Sequence, residues 1–174
     1  AILLFDVDRL QRINDLLGYM VGDEVLQLLG QKCHELVGVT FYRGQGGKFY
    51  CITTDLDRDK IEWIYQQVKR FGEEVPREMK LEIQLTISCG VAFFPQDAED
   101  FETLHANVEY ALEQAKKDGR GCIAQFSGKM HRRTVEQFQL QEVLREAIAN
   151  EFRGFSLVYQ PLIRGEKQQV YGAE

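Results

Sequence analysis

The first five residues, Ala1 to Phe5, form an unbroken apolar run that stops at Asp6 and Asp8. A short run of this kind reads as a buried strand that delivers polar side chains to a site at its end. A polar stretch around Asn14 and Asp15 follows, then Gly18 and Gly22, after which Val25, Leu26, Leu29, Cys33, Leu36 and Val37 recur at helical spacing. That periodicity predicts a helix over about residues 23–37. Residues 39–43 and 49–53 are rich in β-branched and aromatic side chains, and Gly44, Gln45, Gly46 and Gly47 fall between them. This is the pattern of a hairpin. Ile61, Ile64, Tyr65, Val68 and Phe71 mark a second long helix, and residues 81–94 are strand-like with an interruption at Gly90. A third helix carries Leu104, Val108, Ala111, Leu112 and Ala115 and stops at Gly119. Residues 122–126 form a last short strand.

The element order predicts an α+β fold, a sheet with flanking helices around a ferredoxin-like βαββαβ core. From Ser127 the composition turns polar as far as Gln139, and Val143, Leu144, Ala147 and Ile148 then lie on one helical face. Residues 155–163 and 169–171 read as a new hairpin. The expected organisation is therefore a domain over 1–128, a connector helix over 129–154 and the beginning of a second domain over 155–174. The abrupt apolar start suggests a segment of a longer protein.

Composition narrows the function classes. The 174 residues are 44% hydrophobic and 28% charged, enough for one core of roughly 100 to 150 residues with an appendage. A formal charge of −6 leaves no basic stripe and argues against a nucleic-acid partner held by many phosphate contacts. A small phosphorylated ligand needs only two or three local cations. Cys33, Cys51, Cys89 and Cys122 stand singly in apolar contexts, so they read as small core hydrophobes in a reducing cytoplasm. His34, His105 and His131 have no partners at ligand spacing. No stretch approaches the roughly 18 uncharged residues of a membrane span.

Three ordered blocks carry a resemblance: FDVDRLQRINDLLGYMVGDEVL over residues 5–26, TISCGVAFFP over 86–95 and ALEQAKKDGRG over 111–121. They resemble the GGDEF domains, the diguanylate cyclase family. The tail YQPLIRGEKQQVYGAE, residues 159–174, resembles the first strands of an EAL domain, the cyclic di-GMP phosphodiesterase family. The resemblance implies a composite GGDEF-EAL protein of cyclic di-GMP signalling, with an adjoining EAL domain as partner. Glu174 would be a metal ligand only in the complete EAL domain.

In the GGDEF family two protomers face each other as a homodimer, and the 3′-hydroxyl of each bound GTP attacks the α-phosphate of the other. Divalent metal neutralises the developing charge. The resemblance assigns Asp6 as one metal ligand, for Mg²⁺, and places the others in the hairpin motif. There the chain reads RGQGGKF over residues 43–49, so Gly47 stands where the family has its metal-binding acid and Lys48 where it has Glu. Each substitution removes attraction for a cation, and Lys48 adds repulsion, with unit charges about 4 Å apart worth roughly 4 kcal/mol at an effective dielectric near 20. The expectation is a catalytically silent domain. A third reading keeps residual cyclase chemistry on Asp6 and Asp8.

Binding is a separate matter. The resemblance implies that Asn14 and Asp23 read the guanine edge and that Lys116 and Arg120 reach the phosphates of GTP or GDP. Local chemistry leaves alternatives: a turn Asn at 14, a helix N-cap at Asp23, and cations placed near a helix C-terminus at 116 and 120. Gln11 replaces the family's usual Lys, which removes one phosphate cation, and Lys48 could compensate in part. The R-x-x-D of the family's product-inhibition site is replaced by Leu36, Val37, Gly38 and Val39. The chain thus carries two expectations, a weak nucleotide-binding regulator of the EAL domain and a dimerisation or spacer element that binds nothing.

Overall fold

The computed structural model describes residues 1–128, 140, 142–150, 152, 155, 156, 158–164 and 169–173. The chain divides into two compact units, Ala1–Arg133 and Thr134–Glu174. The first unit contains β1 (Ile2–Val7), α1 (Leu10–Leu17), α2 (Tyr19–His34), β2 (Thr40–Arg43), β3 (Lys48–Ile52), α3 (Arg58–Glu78), β4 (Ile87–Ala92), α4 (Phe101–Lys117) and β5 (Ile123–Gln125). In the second, residues 142–149 are helical, and β6 (Pro161–Arg164) pairs antiparallel with β7 (Gln169–Ala173).

The five strands of the first unit form one sheet in the order β2-β3-β1-β4-β5. β1 lies antiparallel to both β3 and β4, whereas β5 joins β4 in parallel. The first four strands give the expected βαββαβ arrangement, and α4 supplies the crossover that a parallel return requires. β1 is central because both its faces are covered. Leu3, Phe5 and Val7 join the core built by α2 and α3, while Ile2 and Leu4 pack with Leu104, Val108 and Leu112 of α4. Fully burying side chains such as Leu3, Leu4 and Phe5 stabilises the fold by roughly 1.5–3 kcal/mol each. The period-2 alternation places Asp6 on the face covered by α4.

Several boundaries differ from the periodicity. The stretch read as polar around Asn14 is α1, whose buried anchor is Ile13. Its Leu16 and Leu17 are exposed, so no clear stripe betrayed it. α2 begins four residues before Asp23, because Gly18 at φ 90° turns the chain and Tyr19 and Met20 are exposed in the first turn. It ends at His34, and Leu36 packs on the core from beyond the helix. α3 extends well past 61–71 from a side-chain cap in which Asp57 accepts from Asp59 N–H. Of the strand-like window 81–94 only Ile87–Ala92 is strand, although Leu85 is buried and Ile83 packs on the core from the preceding connection.

Cys33, Cys51 and Cys89 are buried free thiols and Cys122 is half-buried. Burial pushes Cys33 and Cys51 up to about 12, which holds them as inert thiols. No helix among the described residues is long and apolar enough to cross a membrane.

Candidate functional site

The site expected from the sequence lies at the end of β1. In register, Asp6 faces Lys48 on β3 and Ser88 on β4. Its carboxylate is met by Lys116 of α4, with Nζ 2.8 Å from Oδ2 and both side chains mostly buried. Lys116 also reaches Glu113 at 3.0 Å. Burial pulls the Lys116 ammonium down, but the hydrogen bonds it donates to Asp6 and Glu113 outweigh that and the pKa rises above the ordinary lysine value. Lys48 turns to α4 as well, where its Nζ donates to both oxygens of Glu109 at 2.7 Å. Glu109, Glu113 and Lys116 share one face of α4 through their spacing of four and three residues. Lys48 is thus paired with Glu109, a partner that the sequence, read as offering this cation to a phosphate, did not reveal.

Gly47 is buried, and its carbonyl accepts from Val7 N–H at 3.1 Å. A Cβ built on Gly47 would lie 2.8 Å from Asp6 Oδ1 and 3.3 Å from Val7 N. A side chain at this position would therefore project onto Asp6, so an acid there would set a second carboxylate beside the first. Glycine leaves Asp6 without that companion. The turn itself is fastened by Arg43, which donates to the carbonyls of Lys48 at 2.9 Å, Gly44 at 3.3 Å and Gly46, and lies over the Phe49 ring. Gly46 at φ 61° occupies the left-handed region that favours glycine. Burial lowers the Arg43 pKa, while the charges of Asp23 and Asp6 oppose it.

Asp8 does not stand beside Asp6 as a second ligand. It is buried and accepts from Thr86 Oγ1 at 2.9 Å, Ser88 Oγ at 2.8 Å and Gly121 N–H at 3.1 Å. These bonds tie β1 to β4 and to the loop after α4, and they correct the reading in which Asp6 and Asp8 share chemistry. Among the described residues no cluster of three His, Cys, Asp or Glu side chains is arranged to hold a metal ion. With Asp6 paired, Asp8 saturated and Gly47 lacking a side chain, the residues present do not fit a protein-held pair of metals.

Asn14 sits half-buried on α1. Its Oδ1 is the one buried side-chain polar atom among the described residues without a hydrogen-bond partner. The amide lies against Gly22 of α2 so closely that a Cβ there would come within 1.8 Å of Oδ1. Asp23, the next residue, is exposed and lies inside α2, whose N-cap is Gly18. The N-cap reading of Asp23 is therefore wrong. Gln11 is exposed and donates to Asp15 Oδ1 at 3.3 Å. Arg120 is exposed at φ 68°, between the left-handed glycines Gly119 and Gly121. Lys116 and Arg120 thus have different surroundings, the first on Asp6 and the second at the mouth of a groove with Arg9 and Arg12. Glu174 and His131 lie outside the described residues.

The sequence reading missed Glu109 and Glu113. Their spacing with Lys116 is visible in the chain, but only the packing of α4 over β1 and β3 reveals what they neutralise. It also missed the contact of Gly22 with the Asn14 amide. Gly22→Ala should leave the melting temperature within a few degrees of the parent, because the clash is with the end of a mobile side chain and alanine favours a helix by about 1 kcal/mol. The same change should displace the Asn14 amide, an outcome visible in the Asn14 side-chain amide NMR signals. Unmoved signals would contradict the contact.

Comparison with known proteins agrees with this fold. The family described as "Diguanylate cyclase, GGDEF domain" matches residues 1–122. The cyclic di-GMP phosphodiesterase NbdA of Pseudomonas aeruginosa is 29% identical over 178 residues, spanning 100% of this chain and 22% of that protein. The bifunctional diguanylate cyclase/cyclic di-GMP phosphodiesterase MucR of the same species is 28% identical over 179 residues, spanning 100% of this chain and 25% of its own length. The chain thus spans a quarter or less of these curated relatives. Among solved structures, an EAL/GGDEF domain protein from M. capsulatus superposes with a TM-score of 0.61 at 27% identity, covering 72% of this chain and 83% of that one. The GGDEF domain of YfiN (TpbB) from Pseudomonas aeruginosa, at 21% identity and a TM-score of 0.63 over 72% of this chain and 81% of its own, shares the fold. With that match over residues 1–122 and the sheet order shared with solved members, the chain belongs to the family described as diguanylate cyclase, GGDEF domain.

Proposed function

We propose that this GGDEF domain is catalytically silent, binds GTP or GDP weakly, and regulates an adjoining EAL domain in a cyclic di-GMP signalling protein. The observation that carries the silent half is the fate of the motif hairpin. Gly47 presents no acid to Asp6, and Lys48 is locked on Glu109. Two-metal catalysis needs clustered carboxylates, and Asp6 is already neutralised by Lys116. A single Mg²⁺ carried by the nucleotide phosphates and water would need only one protein carboxylate. Asp6 is the residue to meet it, in exchange for Lys116.

Support for binding comes from Asn14. A buried polar atom without a partner carries an appreciable cost, about 1–3 kcal/mol, and calls for an explanation. The unpaired Oδ1 is an acceptor, and guanine presents amino and imino N–H donors that could satisfy it. Asp23, one residue from the Gly22 contact, is exposed and free to accept a second donor of the same edge. The resemblance of residues 159–174 to an EAL opening, and relatives named as cyclic di-GMP phosphodiesterases, support the regulatory half of the reading.

The competing reading is a dimerisation or spacer element without ligand. It is favoured by Gln11, which gives the phosphates no cation and bonds instead to Asp15. Calorimetric titration of GTP with Mg²⁺ separates the two. Saturable heat that disappears in an Asn14→Ala, Asp23→Ala double variant is the expected result, with no cyclic di-GMP formed. No heat at millimolar GTP would leave the spacer, and product formation abolished by Asp6→Asn would end the silent assignment.

A further inference from the structure

Residues 81–86, between α3 and β4, carry the burial pattern of a strand without being one. Leu81 and Ile83 are half-buried and Leu85 is buried, whereas Glu82, Gln84 and Thr86 are exposed. A period of two marks an extended backbone with one face on a core. The three apolar side chains do pack on the core that α2 and α3 build, yet strand pairing begins only at Ile87, opposite Val7. The reason is that β1 ends there. Asp8 N–H donates to Thr86 O at 2.9 Å, and the chain then turns into α1. Among the described residues, the backbone N–H and C=O groups of Glu82, Ile83, Gln84 and Leu85 make no hydrogen bond to one another or to a neighbouring element. Backbone polar groups are obligatory hydrogen-bonding groups, and a row of them left open on an extended segment is a template for another strand.

In an extended chain successive residues direct their N–H and C=O groups to opposite edges. Thr86 O faces β1, so Gln84 faces that edge too, and Ile83 and Leu85 face the other. The Leu85 carbonyl does lie on the side of α3, where a Cβ built on Gly72 would come within 3.5 Å of it. Along this second edge runs a groove of about 460 Å³, walled by Lys69, Gly72, Glu73, Pro76 and Arg77 of α3. Lys69, Glu73 and Arg77 follow one another at a spacing of four residues, and neither cation forms an ion pair among the described residues. With Arg120 left to the nucleotide, the lining still carries two cations against the single acid Glu73.

We infer that this edge takes an extended, acidic segment of a partner polypeptide as an added strand, with Ile83 and Leu85 supplying the main-chain hydrogen bonds and Lys69 and Arg77 meeting the acidic side chains. Strand addition draws its affinity from main-chain bonds and its specificity from side chains at alternate positions. Ile83 and Leu85 each offer one donor and one acceptor. The excess of cations along α3 sets the sign of the partner, and Arg77 prefers a carboxylate because its guanidinium matches one with two parallel bonds. The added strand uses neither the carboxylates on β1 nor the guanine-edge residues, so the assignment stands independently of the nucleotide reading.

The test is NMR titration of the full chain with a blocked peptide of alternating valine and glutamate, about eight residues long to match a strand. Saturable binding is expected, with amide exchange slowed about ten-fold or more at Ile83 and Leu85 and unchanged at Gln84. Ile83→Pro removes a donor from the groove edge and should weaken binding about ten-fold, whereas Gln84→Pro sets the same ring on the opposite edge and should leave it intact. Arg77→Glu, at an exposed position, should weaken binding as well. If Ile83→Pro does not fold, the exchange pattern of the parent chain and the Arg77 variant decide. No saturable binding up to about 1 mM peptide would overturn the inference, as would protection at Gln84 in place of Ile83 and Leu85, or equal binding of a valine–lysine peptide. Displacement of the peptide by GTP would overturn it by making the groove part of the nucleotide site. Self-association of the free chain that Ile83→Pro abolishes would overturn it in favour of a second copy.

Discussion

Gly47→Asp is expected to raise the affinity of this domain for Mn²⁺ by about ten-fold or more, a gain of roughly 1.4 kcal/mol or above. A Cβ at this position points at Asp6, with Oδ1 only 2.8 Å away. The contact is with the end of a rotatable carboxylate, so the new residue costs a small side-chain shift. Two carboxylates brought together repel each other until a divalent ion sits between them. A unit charge pair at about 4 Å is worth between about 1 and 4 kcal/mol for effective dielectrics from that of water down to about 20. Lys116 competes for Asp6 at 2.8 Å, which limits the gain from the single change. Lys48→Glu on its own should cost stability, because it would set two acids face to face where Lys48 now bonds Glu109. Exchanging both, Lys48→Glu with Glu109→Lys, should recover the pair and remove a cation from the motif. Titrating Mn²⁺ and following the free ion by electron paramagnetic resonance measures the effect. An unchanged binding curve for Gly47→Asp would mean that the hairpin does not aim position 47 at Asp6, and the account of the silent site would fail with it.

Gly90→Ala is expected to destabilise the domain by about 3 kcal/mol, near the upper end of overpacking costs. Gly90 lies in the middle of β4 beneath α4. A Cβ there would sit 2.4 Å from Leu112 N, 2.4 Å from Val108 O and 2.9 Å from Leu112 Cα. All three are backbone atoms of a regular helix, so no rotamer change can relieve the clash. α4 would have to lift from β4, and with it Leu104, Val108 and Leu112, which close the core over Ile2 and Leu4. Set against a total stability of about 5–15 kcal/mol, this should lower the melting temperature by roughly 10 °C or more. Thermal melts followed by circular dichroism decide it. A shift within about 2 °C would show that α4 can give way. The same lift would separate Lys116 from Asp6 and Glu109 from Lys48, so the site's electrostatics depend on this glycine.

How much was legible in the chain can be judged from particular residues. The apolar run before Asp6 announced β1, and the glycines between residues 43 and 48 announced the hairpin, because a central strand and a tight turn impose strong local patterns. α1 was not legible. With Ile13 its one fully buried side chain, it lacks the stripe that periodicity detects, and its position depends on packing against α2. The start of α2 was hidden for a related reason, since exposed Tyr19 and Met20 carry no inward-facing signal. For the site, Gly47 and Lys48 could be read off directly, whereas the partners of Lys48 and Lys116 could not. Asp6 and Lys116 are 110 residues apart in sequence and meet only because α4 crosses β1.

By itself the sequence determined the fold class, the hairpin and the non-acidic residues at positions 47 and 48, since these follow from local hydrophobic periodicity, turn chemistry and residue identity. The tertiary structure decided where the remaining charges go. It placed Lys48 on Glu109 and Lys116 on Asp6, spent Asp8 on Thr86, Ser88 and Gly121, and left Asn14 Oδ1 without a hydrogen-bond partner among the described residues. Charge pairing depends on distances of a few ångströms between elements far apart in the chain, and only the packing of helices on the sheet sets those distances.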